Sequence, residues 1–230
     1  MRTYAIGDIH GMCDLLREAL AWIAQDAGDE PCRVVFLGDY VDRGPSSRQV
    51  VAILRKGPPA GQEWVCLKGN HEDLMAKTLD ERVADRRDAG SLWEENGGAA
   101  TIASYRCMGE LDDLVLFSDG DWARGLPLRF EDEHRHYVHA GFRPGVPLEA
   151  QAERDMLWIR REFEECPVDF GKSVVHGHTA NDQPEVKRGR INLDTGACFW
   201  GRLTVARWLA DERVPHFEFF DTAERRAEAA

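Results

Sequence analysis

Seven residues able to bind a metal, move a proton or grip an anion fall in three short stretches of the chain. Asp8 and His10 lie in Gly7-Asp8-Ile9-His10-Gly11, and Asp39, Asp42 and Arg43 in Gly38-Asp39-Tyr40-Val41-Asp42-Arg43-Gly44. Asn70 and His71 lie in Gly69-Asn70-His71-Glu72, and His139-Ala140-Gly141 and Gly177-His178-Thr179 each add an imidazole. Asp8, His10, Asp39, Asn70, His139 and His178 form a mixed nitrogen and oxygen donor set without thiolate. Such a set suits manganese, iron or zinc better than calcium or magnesium. Two divalent ions would bring four positive charges to two carboxylates, leaving a centre that attracts a phosphate dianion. Asp39 is the candidate bridge, holding the ions about 3.5–4 Å apart and letting them activate a shared hydroxide for in-line attack on phosphorus. His71, outside the ligand set, is the candidate acid for the leaving oxygen, with Asp42 accepting its other N–H. Arg43 offers a planar fork for two phosphate oxygens.

Those stretches need a scaffold that delivers them to one place. Tyr4-Ala5-Ile6, Val34-Val35-Phe36-Leu37 and Trp64-Val65-Cys66-Leu67 are apolar, β-branched runs of the kind that form buried parallel strands. Each run ends in one of the polar stretches, and in open α/β sheets ligands bind at the carboxyl ends of the strands. Between the runs, Leu15, Leu16, Ala19, Leu20 and Ile23 form a helical stripe. A second helix is expected from an N-cap at Ser46 through Leu54, and a third near Asp73–Leu79. Strand–helix repeats of this kind predict βαβ units.

From about Glu81 to Gly125 the chain turns polar and acidic, with helical patches at Leu92–Asn96 and Ala99–Tyr105. We read residues 1–230 as one domain with a lid-like insertion at about 81–125, where selectivity would reside. Strands are expected at Pro127–Glu131, Arg135–Val138, Lys172–Val175, Ile191–Leu193, Arg202–Leu209 and Val214–Phe220. A helix is expected around Asp155–Glu165, and Asp221–Ala230 reads as a helical tail. The late strands suggest an antiparallel or mixed second sheet.

Composition narrows the function. A net charge of −12 argues against a long nucleic acid as partner. No apolar run approaches membrane-spanning length, and Met1-Arg2-Thr3 leads straight into the first strand, so a cytoplasmic protein is expected. The six cysteines are scattered singly and suggest neither a disulfide framework nor a zinc knuckle. His134, His136 and His216 read as structural, His176 as structural or as support for His178, and Trp22, Trp158 and Trp208 as core.

As an ordered set, the five polar stretches resemble the signature of the calcineurin-like metallophosphoesterases. More narrowly they resemble the phosphoprotein phosphatase family in its compact bacterial and phage-type branch. The resemblance runs from Gly7 to Thr179, and Ile191–Ala197 resembles the family's late strand. It implies an α/β fold: an αββα sandwich of two mixed β-sheets flanked by helices, with a dimetal site at the C-terminal ends of the strands. It places Asp8, His10 and Asp39 on one divalent ion and Asp39, Asn70, His139 and His178 on the other, manganese first and iron or zinc next. It also implies His71 as acid, Asp42 as its partner and Arg43 on the phosphate. Leu157-Trp158-Ile159-Arg160 matches the segment carrying the branch's second phosphate-binding arginine, with Arg161 adjacent. The implied activity is a metal-dependent serine/threonine protein phosphatase acting on a phosphorylated protein or small phosphoester. Symmetrical dinucleoside tetraphosphatases share the fold and most motifs, but usually carry Asp where Glu72 stands. A metal-bound scaffold without turnover is a third reading, against which His71 and Arg43 speak. The oligomeric state is open.

Overall fold

A computed structural model describes residues 1–84, 86–107, 110–166, 170–210 and 212–228. The first half alternates strand and helix: β1 (Arg2–Ile6), α1 (Cys13–Ala27), β2 (Cys32–Phe36), α2 (Ser47–Lys56), β3 (Gln62–Cys66) and α3 (Asn70–Leu79). Next come α4 (Arg86–Glu95), α5 (Gly98–Ser104), a small hairpin of β4 (Arg106–Cys107) and β5 (Glu110–Leu111), and α6 (Asp113–Arg124). The second half holds β6 (Arg129–Glu131), β7 (Arg135–Val138), α7 (Glu153–Trp158), α8 (Arg161–Glu164), β8 (Ser173–His176), β9 (Glu185–Lys187) and β10 (Arg190–Asn192). It closes with α9 (Ala197–Trp200), β11 (Arg202–Trp208), β12 (His216–Asp221) and α10 (Ala223–Glu228).

The strands form two mixed five-stranded sheets, ordered β12-β11-β1-β2-β3 and β6-β7-β8-β10-β9. Period-two alternation sorts their side chains into layers. Ala5, Val35, Leu37, Tyr137, Val175 and Ile191 point between the sheets and form an inner core with Trp208. Tyr4, Ile6, Val34 and Phe36 point outward and receive α1, α2 and α3 through Leu16, Ala19, Val50, Val51 and Leu74. Val138 and Val174 face outward on the second sheet, against Met156, Ile159 and Phe163. Both faces of each sheet are therefore covered, which gives the αββα sandwich that the resemblance implies.

Parallel pairing sets the site. Ile6 pairs Phe36 and Phe36 pairs Cys66, so β1, β2 and β3 end level with one another. β7, β8 and β10 are likewise parallel neighbours. Gly7 approaches so closely to Leu193 that a Cβ there would meet the Leu193 carbonyl, so the two sheets converge at these ends.

Several expectations shift. The helix expected from Asp73 starts at Asn70, because the Glu72 carboxylate accepts from Gly69 N (2.9 Å) and satisfies an N-terminal amide. Ser46 stands at the N-cap of α2, but its hydroxyl makes no capping bond. The single helix expected over Asp155–Glu165 is two short ones, broken at Ile159 and Arg160, whose backbones leave the helical region. β11 and β12 join the first sheet, β11 antiparallel to β1, instead of lying in the second. The 81–125 segment holds a twelve-residue helix, α6, that its sparse apolar pattern did not announce, and β9 was likewise unanticipated. The cysteines among the described residues are free, while the side chain of Cys107 lies outside the described set, as do Asp85, Met108, Gly109 and the Ala229–Ala230 end of the tail. No helix among the described residues is long and apolar enough to cross a membrane.

Candidate metal and phosphoester site

The strand-end turns carry their polar residues in a backbone conformation that ordinary side chains avoid. His10, Asp39, Asp42, Arg43 and His178 have φ of 45°, 54°, 74°, 68° and 68°, and among the described residues they are the non-glycine residues with positive φ. All five were singled out from sequence. Backbone outliers concentrated in this way mark functional sites.

Asp39 lies at the centre, buried, with its two oxygens facing different groups. Oδ1 lies 3.3 Å from His139 Nε2 and accepts from His71 N at 3.1 Å. Oδ2 lies 3.5 Å from His10 Nε2 and 3.8 Å from His71 Nε2. Two triads of donor atoms, each within 4.8 Å of one another, therefore share this carboxylate: His10, Asp39 and His71, and Asp39, His139 and His178. Asn70 joins the second through Oδ1, 2.9 Å from His139 Nε2. Asp8 approaches from the His178 side, its Oδ2 accepting from His178 N at 3.0 Å. The donor atoms grouped with His10 and Asp39 are those of His71, while Asp8, expected beside them, meets the site at His178 N.

Backbone carbonyls fix the imidazole tautomers. His10 Nδ1 bonds Val41 O at 2.8 Å and His139 Nδ1 bonds Leu37 O at 2.9 Å, turning both Nε2 atoms inward. His178 Nε2 is buried without a hydrogen-bond partner. Burial drives His10 and His178 well below the usual imidazole range, each reinforced by a neighbouring imidazole, so both present lone pairs. Burial opposes ionisation of Asp39, yet His139, His71 and His10 outweigh it and hold the carboxyl well below its usual range. Asp8 is raised by burial and then by Asp194 and Asp39, and Asp194 is pushed up to about 6 mainly by burial. Lone pairs without protons, crowded carboxylates and an orphaned buried nitrogen all call for positive charge, so the donor set fits divalent metal ions.

Around this centre, His71 Nδ1 bonds Asp42 Oδ2 at 2.5 Å, and both residues are buried. Arg43 donates from Nη1 to His10 Nε2 at 2.6 Å, its guanidinium lying 5.0 Å from the centroid of the Phe199 ring. Arg160 reaches Thr179 Oγ1, next to His178, at 3.3 Å, whereas the exposed Arg161 pairs with Glu165 at the C-cap of α8. Trp158, expected in the core, is half-buried with its ring 6.0 Å from that of His178. It borders a groove of about 730 Å³ lined by Leu74, Lys77, Leu92, Glu153 and Arg154. His176 bonds Arg190 and packs its ring against Phe163, on the outer side of its sheet.

Sequence reasoning overlooked four contributors. Glu72, weighed only as a family marker, is fully buried and accepts from Gly69 N, Asp39 N, Tyr40 N and Val41 N at 2.8–3.2 Å, stapling the β2 and β3 turns together. Asp194 follows the apolar Ile191–Leu193 run, the same signal that revealed Asp8 and Asp39. Trp93 and Thr101 bond Asp42, and nothing in the sequence linked them to it.

Comparison with known proteins gives the family and the fold. The profile of the calcineurin-like phosphoesterase family matches residues 1–217. A serine/threonine-protein phosphatase 1 from Salmonella typhimurium is 28% identical over 215 residues, covering 89% of this chain and 91% of that protein. An asymmetrical bis(5'-nucleosyl)-tetraphosphatase from Oceanobacillus iheyensis is 25% identical over 251 residues, covering 98% and 94%. A crystal structure provisionally described as a diadenosine tetraphosphatase superposes with a TM-score of 0.67 at 21% identity, over 95% of this chain and 93% of that one.

Proposed function

Because this chain belongs to the calcineurin-like phosphoesterases, we propose that it is a metal-dependent phosphomonoesterase acting on phosphoserine or phosphothreonine in proteins. The reading is carried by one observation: Asp39 stands between His10 on one side and His139 and His178 on the other, with a buried His71–Asp42 pair at its edge. Asp8, His10 and Asp39 would hold one divalent ion, and Asp39, Asn70, His139 and His178 the other, with manganese the first choice. Bound there, the ions would act as Lewis acids on a phosphoryl oxygen and on water. His71 belongs to the proton path instead of the ligand set, because Asp42 holds its Nδ1–H and leaves Nε2 to face the reacting side. As the acid, His71 gives its Nε2 proton to the departing alkoxide and keeps its Nδ1 proton, donated in a hydrogen bond to Asp42. Arg43, bonded to His10, and Arg160, bonded to Thr179 next to His178, would each bind phosphate oxygens. A structural metal site requires neither this pair nor these guanidinium groups, which speaks against a scaffold without turnover.

The substrate assignment rests on the phosphatase relative that matches along most of both chains, and on Glu72. A second reading, a dinucleoside tetraphosphatase or other nucleotide phosphohydrolase, is favoured by the nucleotide hydrolase matching 98% of this chain. Assay of the manganese-loaded protein on phosphoserine and phosphothreonine peptides and on diadenosine tetraphosphate separates them. The first reading expects the higher kcat/KM on phosphopeptides. Preference for the dinucleotide would overturn it, and inactivity even on p-nitrophenyl phosphate would return the scaffold.

A further inference from the structure

The 81–125 segment reaches into the proton path. Asp42 is fully buried, and its Oδ2 receives His71 Nδ1. The opposite oxygen, Oδ1, accepts from Thr101 Oγ1 at 2.6 Å and from Trp93 Nε1 at 2.9 Å, and the same indole N–H lies 3.0 Å from Oδ2. The Asp42 amide, in its left-handed turn, donates to Thr101 Oγ1 at 2.8 Å and to Ser47 Oγ at 3.0 Å. Trp93 lies on α4 and Thr101 on α5, both buried and both remote in sequence from Asp42. Gly97, between the two helices, accepts from Arg43 N at 3.3 Å, so the helix pair is seated on the Asp42–Arg43 turn.

A carboxylate bound on one edge only can rotate about its Cβ–Cγ bond. One held by an indole shared between both oxygens and a hydroxyl on the far oxygen cannot rotate without breaking a buried hydrogen bond. We propose that Trp93 and Thr101 are positioning residues for proton transfer: they lock the Asp42 carboxylate, which in turn aims His71 Nε2 at the leaving oxygen. This rests on the reading of His71 as the acid. The segment expected to govern selectivity thereby acts on the chemical step, and the tryptophan acts through Asp42 without touching substrate.

Charge-assisted hydrogen bonds are individually worth about tenfold or more in an equilibrium, and general acid catalysis about 10²–10⁴-fold in rate. Steady-state kinetics of Trp93→Phe, Thr101→Val and Thr101→Ser on glycerol phosphate and p-nitrophenyl phosphate test the inference, with His71→Asn as reference. Glycerol phosphate has an alkoxide leaving group that requires a proton, whereas nitrophenolate leaves without one. Trp93→Phe and Thr101→Val should each lower kcat about tenfold or more on glycerol phosphate, with a much smaller loss on p-nitrophenyl phosphate and with KM and bound manganese unchanged. Thr101→Ser, which keeps the hydroxyl, should restore the alkyl rate. The downfield proton resonance of His71 Nδ1 should move in Trp93→Phe and Thr101→Val and stay in Thr101→Ser, a readout independent of turnover. Equal losses on the two substrates in both damaging variants, or an unmoved resonance, would overturn the bracing role while a selective loss in His71→Asn left the acid role standing. Equal losses in His71→Asn would remove the acid role and this inference with it. If Trp93→Phe does not fold, the Thr101 pair decides.

Discussion

Glu72→Gln is the substitution whose effect can be worked out most fully from the structure. The carboxylate spans two pairs of amides: Oε2 accepts from Gly69 N (2.9 Å) and Asp39 N (2.8 Å), Oε1 from Tyr40 N (2.8 Å) and Val41 N (3.2 Å). Glutamine has nearly the same shape but can satisfy one pair only, because its NH2 would face the other two N–H groups. Two amide bonds to a charged acceptor are lost, at about 1.5–3 kcal/mol each. Removing a buried charge offsets part of this, since burial and then Asp39 already push Glu72 up to about 7. A net loss of about 2–3 kcal/mol follows, which for a chain of this size lowers Tm by about 5–10 °C. Freed from Glu72, the Asp39 turn should also bind manganese about 10–100-fold more weakly, the range found when groups that orient metal ligands are removed. Calorimetry of the chelator-treated protein and a manganese titration measure the two effects. A Tm within about 1 °C of the parent, where the size scaling predicts several degrees, together with unchanged manganese affinity, would show that the staple is not what holds the turns.

Asp39→Asn should strip metal from both triads and abolish hydrolysis; elemental analysis that still finds near-normal metal would remove Asp39 from the bridge. Gly177→Ala places a Cβ against the Asp8 carboxylate, which His178 N holds in place, and should destabilise the protein by about 1–3 kcal/mol while reducing metal content, measured by calorimetry and elemental analysis. Arg160→Ala should raise KM for phosphoester while Arg161→Ala leaves it unchanged, because Arg161 faces solvent beside Glu165; equal effects would contradict the assignment. The metal-free protein should lose Tm as pH rises from about 6.5 to 8. Glu72, raised to about 7, and His139, raised by Asp39 against burial, bind protons when folded that the unfolded chain has released, so their contribution fades as pH climbs through the folded values. His10 and His178 are lowered and act in the opposite sense, but only below their ordinary 6.5. A flat or rising Tm in that window would contradict these signs.

What the sequence made legible was the delivery of groups by strands. Asp8, Asp39, Asn70, His139 and His178 each follow an apolar run by one to three residues, so the pattern alone sends them to one edge. Asp194 obeys the same rule after Leu193 and was readable on equal terms. Partners that come from helices were not readable. Trp93 and Thr101 are ordinary helix residues, and only tertiary packing carries them to Asp42, 51 and 59 positions away in the chain. The break between α7 and α8 was hidden for a related reason. Met156, Leu157, Ile159 and Phe163 keep an apolar periodicity that continues through the break; all four are buried, and Met156, Ile159 and Phe163 pack against the second sheet. The backbone nevertheless leaves the helix at Ile159 and Arg160, and the Arg160 side chain is aimed at Thr179. Periodicity reports which face is buried, and it is blind to a single residue turned aside.

The strain at the centre explains why these outlying braces exist. Five non-glycine residues held at positive φ cost about 1–3 kcal/mol each, a sum comparable with the whole net stability of a domain. Each is tied by its own buried or half-buried bond. His10 is held through Val41 O, Asp39 N by Glu72, Asp42 N by Ser47 and Thr101, Arg43 N by Gly97 and His178 N by Asp8. The first sheet supplies the turns of four of these residues and the second sheet that of His178, but three of the five ties come from α2, α3, α5 or the Gly97 turn before α5, so the sheets alone do not hold the arrangement. This is why a carboxylate on α3 and a hydroxyl on α5 matter to a centre built from strand ends. Such ties let turns that would otherwise relax keep carboxylates and imidazoles crowded together, an arrangement that has most to gain from a cation.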